Sequence, residues 1–187
     1  MSSLFLGAYW KARAEDAAAA AARLAVFLGA VARIDARLAR WFSVVTTGSA
    51  GEVVPLTPEG IMAHLQTQKT DAGGHPMPTL GVRFHAWTEA YSTIDATVGA
   101  YSPRIRNAVV LQPEGHTVQD SAWRQMLQAA VDAFDPDDAV VSSVAIMKSA
   151  GTTRPSEAAW LSRARGAELR EDETRLRSGN GDGSNRI

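Results

Sequence analysis

A change of hydrophobic period near the start of the chain constrains its fold more than any other feature of the sequence. Residues 4–10 form a short run in which both alternating sets of side chains are apolar, and this predicts a strand buried at the centre of a sheet. From Glu15 to Ala32 apolar residues recur instead at i, i+3, i+4 and i+7, as Leu24, Phe27, Leu28 and Val31. The second spacing predicts an amphipathic helix that lies flat on the sheet.

The region after this helix predicts one more strand and a short helix. The β-branched run over 43–47 is typical of a strand, and we expect it to pair with the first strand. Thr57 and Pro58 are a helix start, because a hydroxyl caps the first turn and proline suits its first position. We expect that helix to end near Lys69, before a glycine- and proline-containing turn.

The second half of the chain predicts a meander, a helix and a late strand. Apolar and polar residues alternate between Leu80 and Leu111, which predicts about three antiparallel strands with one solvated face. Helical spacing predicts a helix over 120–134, with Thr117 or Asp120 as its cap. The apolar run over 139–147 then predicts another strand.

These elements predict an α+β fold. We expect a single domain with a mixed, mostly antiparallel sheet and helices packed on one face. The domain is predicted to span residues 1–150. Residues 151–187, where the periodicity decays into a charged and glycine-rich stretch, are predicted to form a weakly ordered helical segment and a disordered tail.

Composition and charge argue against several classes of partner. With 187 residues the chain is long enough for about one domain, and 45% hydrophobic and 21% charged residues are ordinary for a globular protein. The formal net charge of −1 gives no field that would attract nucleic acid or an anionic membrane. We therefore expect neither as a direct partner.

The absence of cysteine bears on the cellular compartment. Without cysteine the chain has no disulfide, no thiolate metal site and no cysteine nucleophile, which fits a reducing compartment. The sequence shows no signal-peptide pattern, and no apolar run approaches the roughly 20 residues of a membrane span. We expect a cytoplasmic protein.

No set of residues in the sequence stands out as a metal or cofactor site. The four histidines fall in four different predicted elements: His64, His75, His85 and His116. None has the helical spacing of a metal motif. The acidic group Asp135, Asp137 and Asp138 is interrupted by Pro136 and lacks the later glutamate of a calcium loop. We predict no metal and no cofactor.

One small constellation is compatible with catalysis. His85, Glu89 and Asp95 lie close together around the meander, as a general base and orienting acids of a small hydrolase would. The solvated face of an alternating strand produces the same pattern, so both interpretations stay open.

Several short motifs resemble the immunity 52 family of bacterial polymorphic toxin systems. The resemblance begins with Leu6-Gly7-Ala8-Tyr9-Trp10, Arg13, the alanine-rich helix and the run from Ile34 to Phe42. It continues in Leu80-Gly81-Val82-Arg83-Phe84 with Trp87, in Gly99-Ala100-Tyr101 and in Asn107-Ala108-Val109-Val110-Leu111. The similar region extends from about Leu4 to Ile146.

The resemblance implies an α+β protein that neutralises a toxin carrying a restriction-endonuclease-like domain. It transfers no active site, because proteins of this kind are inhibitors, and we therefore predict that the chain is not an enzyme. The family continues after the late strand with a further ordered segment, whereas this chain continues with a charged, glycine-rich tail. A truncated or frame-shifted end would explain that departure.

Partner-binding residues are predicted from two properties, exposure and negative charge. Trp87, Glu89 and Tyr91 stand where the strand period weakens, so the two aromatic rings are available to a partner. Acidic side chains suit the occlusion of a positively charged nuclease cleft, and the remaining candidates are Asp95, Glu114, Asp135, Asp137 and Asp138. The alternatives are a small hydrolase that uses His85 and Glu89, and a general protein-binding adaptor.

Overall fold

The secondary structure follows the order of elements in the sequence. The computed structural model describes residues 4–43, 51–67, 75, 77–102, 104–114 and 118–172. Within these residues the α-helices are α1 Ala17–Ile34, α2 Pro58–Ala63, α3 Asp120–Phe134 and α4 Val144–Ser149. The strands are β1 Phe5–Trp10, β2 Trp41–Ser43, β3 Val53–Val54, β4 Gln66–Thr67, β5 Val82–Trp87, β6 Thr93–Val98, β7 Asn107–Gln112, β8 Asp138–Ser142, β9 Leu161–Ala164 and β10 Arg170–Glu171.

One antiparallel sheet contains all ten described strands. Their order is β10-β9-β8-β1-β7-β6-β5-β2-β3, and β4 also pairs with β5. The first strand lies in the interior, because Ala8 is opposite Val109 of β7 on one side and Ala139 of β8 on the other. The predicted central position of β1 and the predicted β5–β6–β7 meander are confirmed.

The helices and one face of the sheet share a single hydrophobic core. Trp10 of β1 stacks on Phe134 of α3 at a ring distance of 5.4 Å, and Phe27 of α1 meets the same ring edge-on at 5.5 Å. Buried side chains of α2 and α4, Ile61 and Ile146, join this core. The described residues therefore form the α+β domain that the sequence predicts, with its helices on one face.

Helix α1 is the main helix of this core. Its cap is Asp16, whose Oδ1 accepts a hydrogen bond from the backbone N of Ala19 at 2.7 Å. By length and composition alone α1 could cross a membrane, with a mean hydropathy of 1.7 over 18 residues, so the expectation that no run approaches that length was too strong. A buried core helix passes the same test, and Leu24, Phe27 and Leu28 are fully buried against the sheet and α3.

Gly99 and Asn107 connect three segments at one end of the sheet. Gly99 has φ +78, and a Cβ there would lie 2.5 Å from the carbonyl oxygen of Glu15, so only glycine fits. The buried Asn107 side chain accepts from the N of Ala100 at 2.8 Å and donates to the carbonyls of Ala100 and Lys11, each at 2.9 Å. These contacts give a packing role to the Gly99-Ala100-Tyr101 and Asn107 motifs.

Two predictions for the region after α1 are wrong. Strand β2 pairs with β5 and β3 rather than with β1, and residues 44–47 of the predicted strand lie outside the described residues. Helix α2 ends at Ala63 rather than near Lys69, because Gln66 and Thr67 leave the helix to pair with β5 as β4.

Helix α3 has the predicted bounds but a different cap. Its cap residue is Gln119, which makes no side-chain capping bond, and Asp120 is the first helical residue. The other candidate, Thr117, lies outside the described residues.

The predicted strand over 139–147 is correct only in its first half. β8 ends at Ser142, and Ser143 begins helix α4 because its Oγ accepts from the N of Ile146 at 3.2 Å. This side-chain hydrogen bond caps a helix at the point where the apolar run alone predicted a continuing strand.

The segment after Ala150 is not helical in the way the sequence predicts. Pro155–Glu157 form a single 3₁₀ turn, and β9 pairs with the outer side of β8, with Leu161 opposite Val141. Trp160 and Leu161 are 1% and 0% exposed. The pairing satisfies the backbone of β8 and covers its apolar residues, which local periodicity could not reveal. Residues 173–187 of the predicted tail lie outside the described residues.

Candidate functional site

The sheet face opposite the helices is the first candidate site in the described structure. Strand residues alternate, so each strand that contributes to the core also presents side chains on the other side. We call this side the open face, and its members are Tyr9, Phe42, Arg83, His85, Trp87, Thr93, Asp95, Thr97, Ala108 and Val110. Most of them are half-buried and Arg83 is exposed, so this face is accessible to a partner.

A charged cluster occupies the middle of the open face. The Asp95 carboxylate accepts from Nη2 and Nε of Arg83 at 2.7 and 3.3 Å, and its Oδ2 lies 3.1 Å from Nδ1 of His85. Burial alone would raise the pKa of Asp95, but the hydrogen bonds and charge of Arg83, followed by those of His85, lower the pKa of this carboxyl below its usual value. The cluster is therefore locally charge-balanced around an ionised Asp95.

Beside this cluster lies an aromatic patch on β1. The Tyr9 ring folds back over Gly7, where an added Cβ would lie 2.3 Å from the Tyr9 hydroxyl. Arg106 stacks over the Tyr9 ring at 5.3 Å and pairs with Asp138 at 2.9 Å. Burial raises the pKa of Tyr9, and the Arg106 charge opposes that effect. Tyr9 is thus a fixed aromatic surface with a cation above it.

A second aromatic pair lies near the opposite margin of the open face. Phe42 of β2 is the cross-strand neighbour of Trp87 on β5. A Cβ at Gly51 would lie 2.8 Å from the Trp87 ring and 3.0 Å from the Phe42 Cβ, so the Gly51 backbone packs closely on both. Arg40 lies over the Phe42 ring at 5.1 Å and pairs with Glu89 at 3.0 Å.

The β5–β6 turn extends this margin. We call residues 88–92 the tip. The Thr88 N donates to the Ser92 carbonyl and the Tyr91 N donates to the Thr88 carbonyl, each at 2.9 Å. Tyr91 has φ +62, and its residue surface is 79% exposed. The tip therefore holds a large aromatic side chain outward in a backbone conformation that most side chains avoid.

The eight residues predicted from the sequence to bind a partner form two separate groups. Trp87, Glu89, Tyr91 and Glu114 gather at the tip, because the Ser92 Oγ accepts from the N of Glu114 at 3.0 Å, and Asp95 lies nearby on the open face. The second group, Asp135, Asp137 and Asp138, lies at the opposite end of the strands, where Asp138 is opposite Tyr9.

Arginines neutralise most of the predicted acidic residues. Besides Asp95 with Arg83 and Glu89 with Arg40, Arg165 pairs with Asp135 at 3.2 Å and Asp137 at 3.5 Å. Glu114 differs: its Oε1 accepts from Nε2 of Gln112 at 2.8 Å, and no ion-pair partner for it exists among the described residues. Within the described part of the chain, Glu114 is therefore the one predicted acidic residue without an arginine partner.

Sequence reasoning missed the arginines and several aromatic members of the site. Arg83 could have been found, since it alternates with Val82 and Phe84 and so had to face the solvated side of β5. The position of Arg40 had no local signal, because its partner Glu89 lies 49 residues later.

The positions of the described residues bear on a hydrolase site at His85 and on a metal site. His85 and Asp95 are within hydrogen-bond distance, as a base and its orienting acid would be, but Glu89 turns away to Arg40. The described residues contain no group of three side chains able to hold a metal ion, and His116 lies outside them. A cavity of about 200 Å³ lies at β8–β10, with Ser156, Ser162 and Arg170 in its lining, away from His85.

A model of a known protein family matches most of the chain. The model of the protein family described as Immunity protein 52 matches residues 2–164, a range that includes the open face, the tip and β9. No curated protein matches the chain.

Proposed function

Because the family model covers residues 2–164, the chain belongs to the immunity protein 52 family, and we propose that it binds and occludes a nuclease toxin. Family membership makes it an immunity protein and implies a toxin protein as its partner. The finer proposal is that this toxin carries a restriction-endonuclease-like domain used in competition between bacteria. We propose also that the chain acts in the cytoplasm, without turnover of a substrate.

The residues of the open face support a protein partner. Aromatic residues and arginine are enriched in the centres of protein interfaces, and here Tyr9, Trp87 and Phe42 lie with Arg83 and Arg40 on one sheet surface. The antiparallel pairing of β1, β7, β6 and β5 makes that surface rigid. A preorganised surface loses little conformational entropy when it binds.

Occlusion requires that the inhibitor compete with phosphates for the toxin. A nuclease cleft must be positively charged to hold nucleic acid. An inhibitor therefore benefits from negative charge on the part of its surface that enters the cleft. Glu114 is placed to supply that charge beside the tip, because no arginine among the described residues pairs with it. Glu89 lies in the tip itself but is paired with Arg40. The family match is the observation that supports a toxin as the partner. The position of Glu114 beside the tip supports a positively charged surface on that toxin.

A pair of charge reversals tests the proposal. The proposed function predicts a secreted protein with a C-terminal nuclease domain in the reading frame beside this chain, and the probe is that domain with its nuclease centre inactivated. Glu89→Lys combined with Glu114→Lys should slow association with the probe by about tenfold at low salt, because electrostatic attraction mainly accelerates encounter.

The control changes charge equally at the far end of the molecule. Asp132→Lys combined with Glu168→Lys should leave the association rate unchanged, because both residues are exposed and neither is a predicted partner-binding residue. If neither pair has an effect, acidic steering at the tip is wrong, and if the wild-type chain fails to bind the probe, the nuclease proposal itself is wrong.

A further inference from the structure

We propose that Tyr91 is the anchor residue of the complex, inserted from the tip into the positively charged cleft of the toxin. This inference rests on the proposed function and adds the contact on which affinity depends. It starts from the presence of a tyrosine at a left-handed loop position, which the packing of the described domain does not explain.

The tip places Tyr91 where glycine is favoured. The Thr88 N and the Ser92 carbonyl close a three-residue hairpin loop, Glu89–Tyr91, and the last residue of such a loop adopts the left-handed conformation. Glycine is the preferred residue there because it has no Cβ. Tyr91 occupies it with φ +62, so the loop would form at least as well without this side chain.

The Tyr91 side chain contributes little to the packing of its own domain. With 79% of its surface exposed, it is more exposed than any other large hydrophobic residue of the described structure. Its phenol forms no hydrogen bond to the described residues. A strained, exposed aromatic residue on an ordered turn is a common property of binding sites.

The base of the tip is rigid, which an anchor requires. Thr88 and Ser92 are 2% and 0% exposed, and the Thr88 Oγ1 accepts from the N of Ser92 at 3.1 Å. The Ser92 Oγ also joins the tip to Glu114 at 3.0 Å. Tyr91 is therefore held in position before any partner arrives, and little entropy is lost on docking.

The surroundings of Tyr91 indicate the chemistry of the partner surface that receives it. Tyr91 projects from a hairpin turn, so it needs a recess in the partner. Glu89 belongs to the same turn, and Glu114 is joined to the turn through Ser92 and has no arginine partner among the described residues. A cleft with an apolar wall and cationic residues at its mouth satisfies both features. A nuclease that holds nucleic acid has such a cleft.

Tyr91→Gly separates the binding role of this residue from a structural one. The variant should keep or raise its Tm by up to about 4 °C, because glycine relieves the left-handed strain. It should weaken the Kd for the inactivated toxin domain by about 30-fold or more, the loss expected of an anchor. The measurements are thermal unfolding and calorimetric titration on the full chain.

Tyr101→Ala is the matched control, since Tyr101 is also an exposed tyrosine, at 43%, but lies at the opposite end of β6. It should bind like the wild type. If wild type and Tyr91→Gly bind equally well, the anchor proposal is overturned while the proposed function stands. A marked fall in Tm on Tyr91→Gly would overturn it too, because the side chain would then be structural. If the wild type does not bind, the proposed function fails first.

Discussion

At the scale of single residues, Asp95 couples the open face to the stability of the fold. The Arg83 and His85 bonds lower the folded-state pKa of Asp95 below its usual value. A carboxyl with a depressed folded pKa stabilises the protein at pH values above its unfolded pKa of about 3.9 and loses that contribution as the pH falls through the folded pKa. The pair contributes modestly, because the Asp95 side chain is 41% exposed.

Asp95→Asn should therefore lower the free energy of unfolding at pH 7 by up to about 1 kcal/mol. At an acidic pH below the folded-state pKa of Asp95 the difference from the wild type should disappear, since the wild-type carboxyl is then protonated. Urea unfolding at the two pH values measures this, with Asp132→Asn as a control for the loss of an exposed carboxylate. An equal difference at both pH values would show that Asp95 acts by packing alone.

At the scale of elements, β9 is as much part of the domain as the strands that the sequence predicts. Trp160 immediately precedes β9, and its backbone N donates to the Val141 carbonyl of β8 at 2.9 Å. The Trp160 ring is buried in the hydrophobic core at 1% exposure, but its Nε1 has no acceptor among the described residues. Its contribution to stability is therefore apolar.

Trp160→Ala should lower the free energy of unfolding by about 3–5 kcal/mol, the cost of a large cavity. Trp160→Phe should cost much less, because most of the ring volume remains and no hydrogen bond to the described residues is lost. Chemical denaturation with tryptophan fluorescence or circular dichroism measures both variants. Equal stability of Trp160→Ala and the wild type would mean that the segment after Ala150 does not belong to the core.

The same elements show what a single sequence can predict here. Periodicity predicted the bounds of α3 and located β1 and α1 with their ends shifted slightly, because the apolar faces of these elements repeat within the element itself. The pairing of β2 and the existence of β9 depend on distant partners: Phe42 pairs with Trp87 and Leu161 pairs with Val141. Local patterns carry no information about such partners, so these predictions failed.

The residues of the candidate site likewise divide into those that the sequence predicts and those that only the folded structure reveals. Alternation in β5 and β6 placed His85 and Asp95 on the solvated side, and weakened periodicity identified Trp87 and Tyr91 near the tip. The left-handed Tyr91 and the Arg40–Glu89 pair needed the folded chain, because a hairpin loop and a contact across 49 residues define them. The resemblance of motifs identified the family but not the surface.

At the scale of the whole molecule, the asymmetry of the sheet is the central feature. Helices α1 and α3 cover one face, and the described residues leave the open face accessible with the tip at its margin. A rigid surface of this kind inhibits by occupying a partner in a fixed ratio, whereas an enzyme would inactivate many partner molecules in succession. This contrast gives the central claim a direct test.

The measurement is a titration of the active toxin domain with increasing amounts of the purified chain, followed by its cleavage of DNA. At toxin concentrations well above the Kd, cleavage should fall linearly and reach zero at one chain per toxin molecule, because the proposed occlusion uses one chain for each cleft. Loss of cleavage at a small fraction of that ratio would indicate turnover, and undiminished cleavage at excess chain would contradict the immunity mechanism altogether.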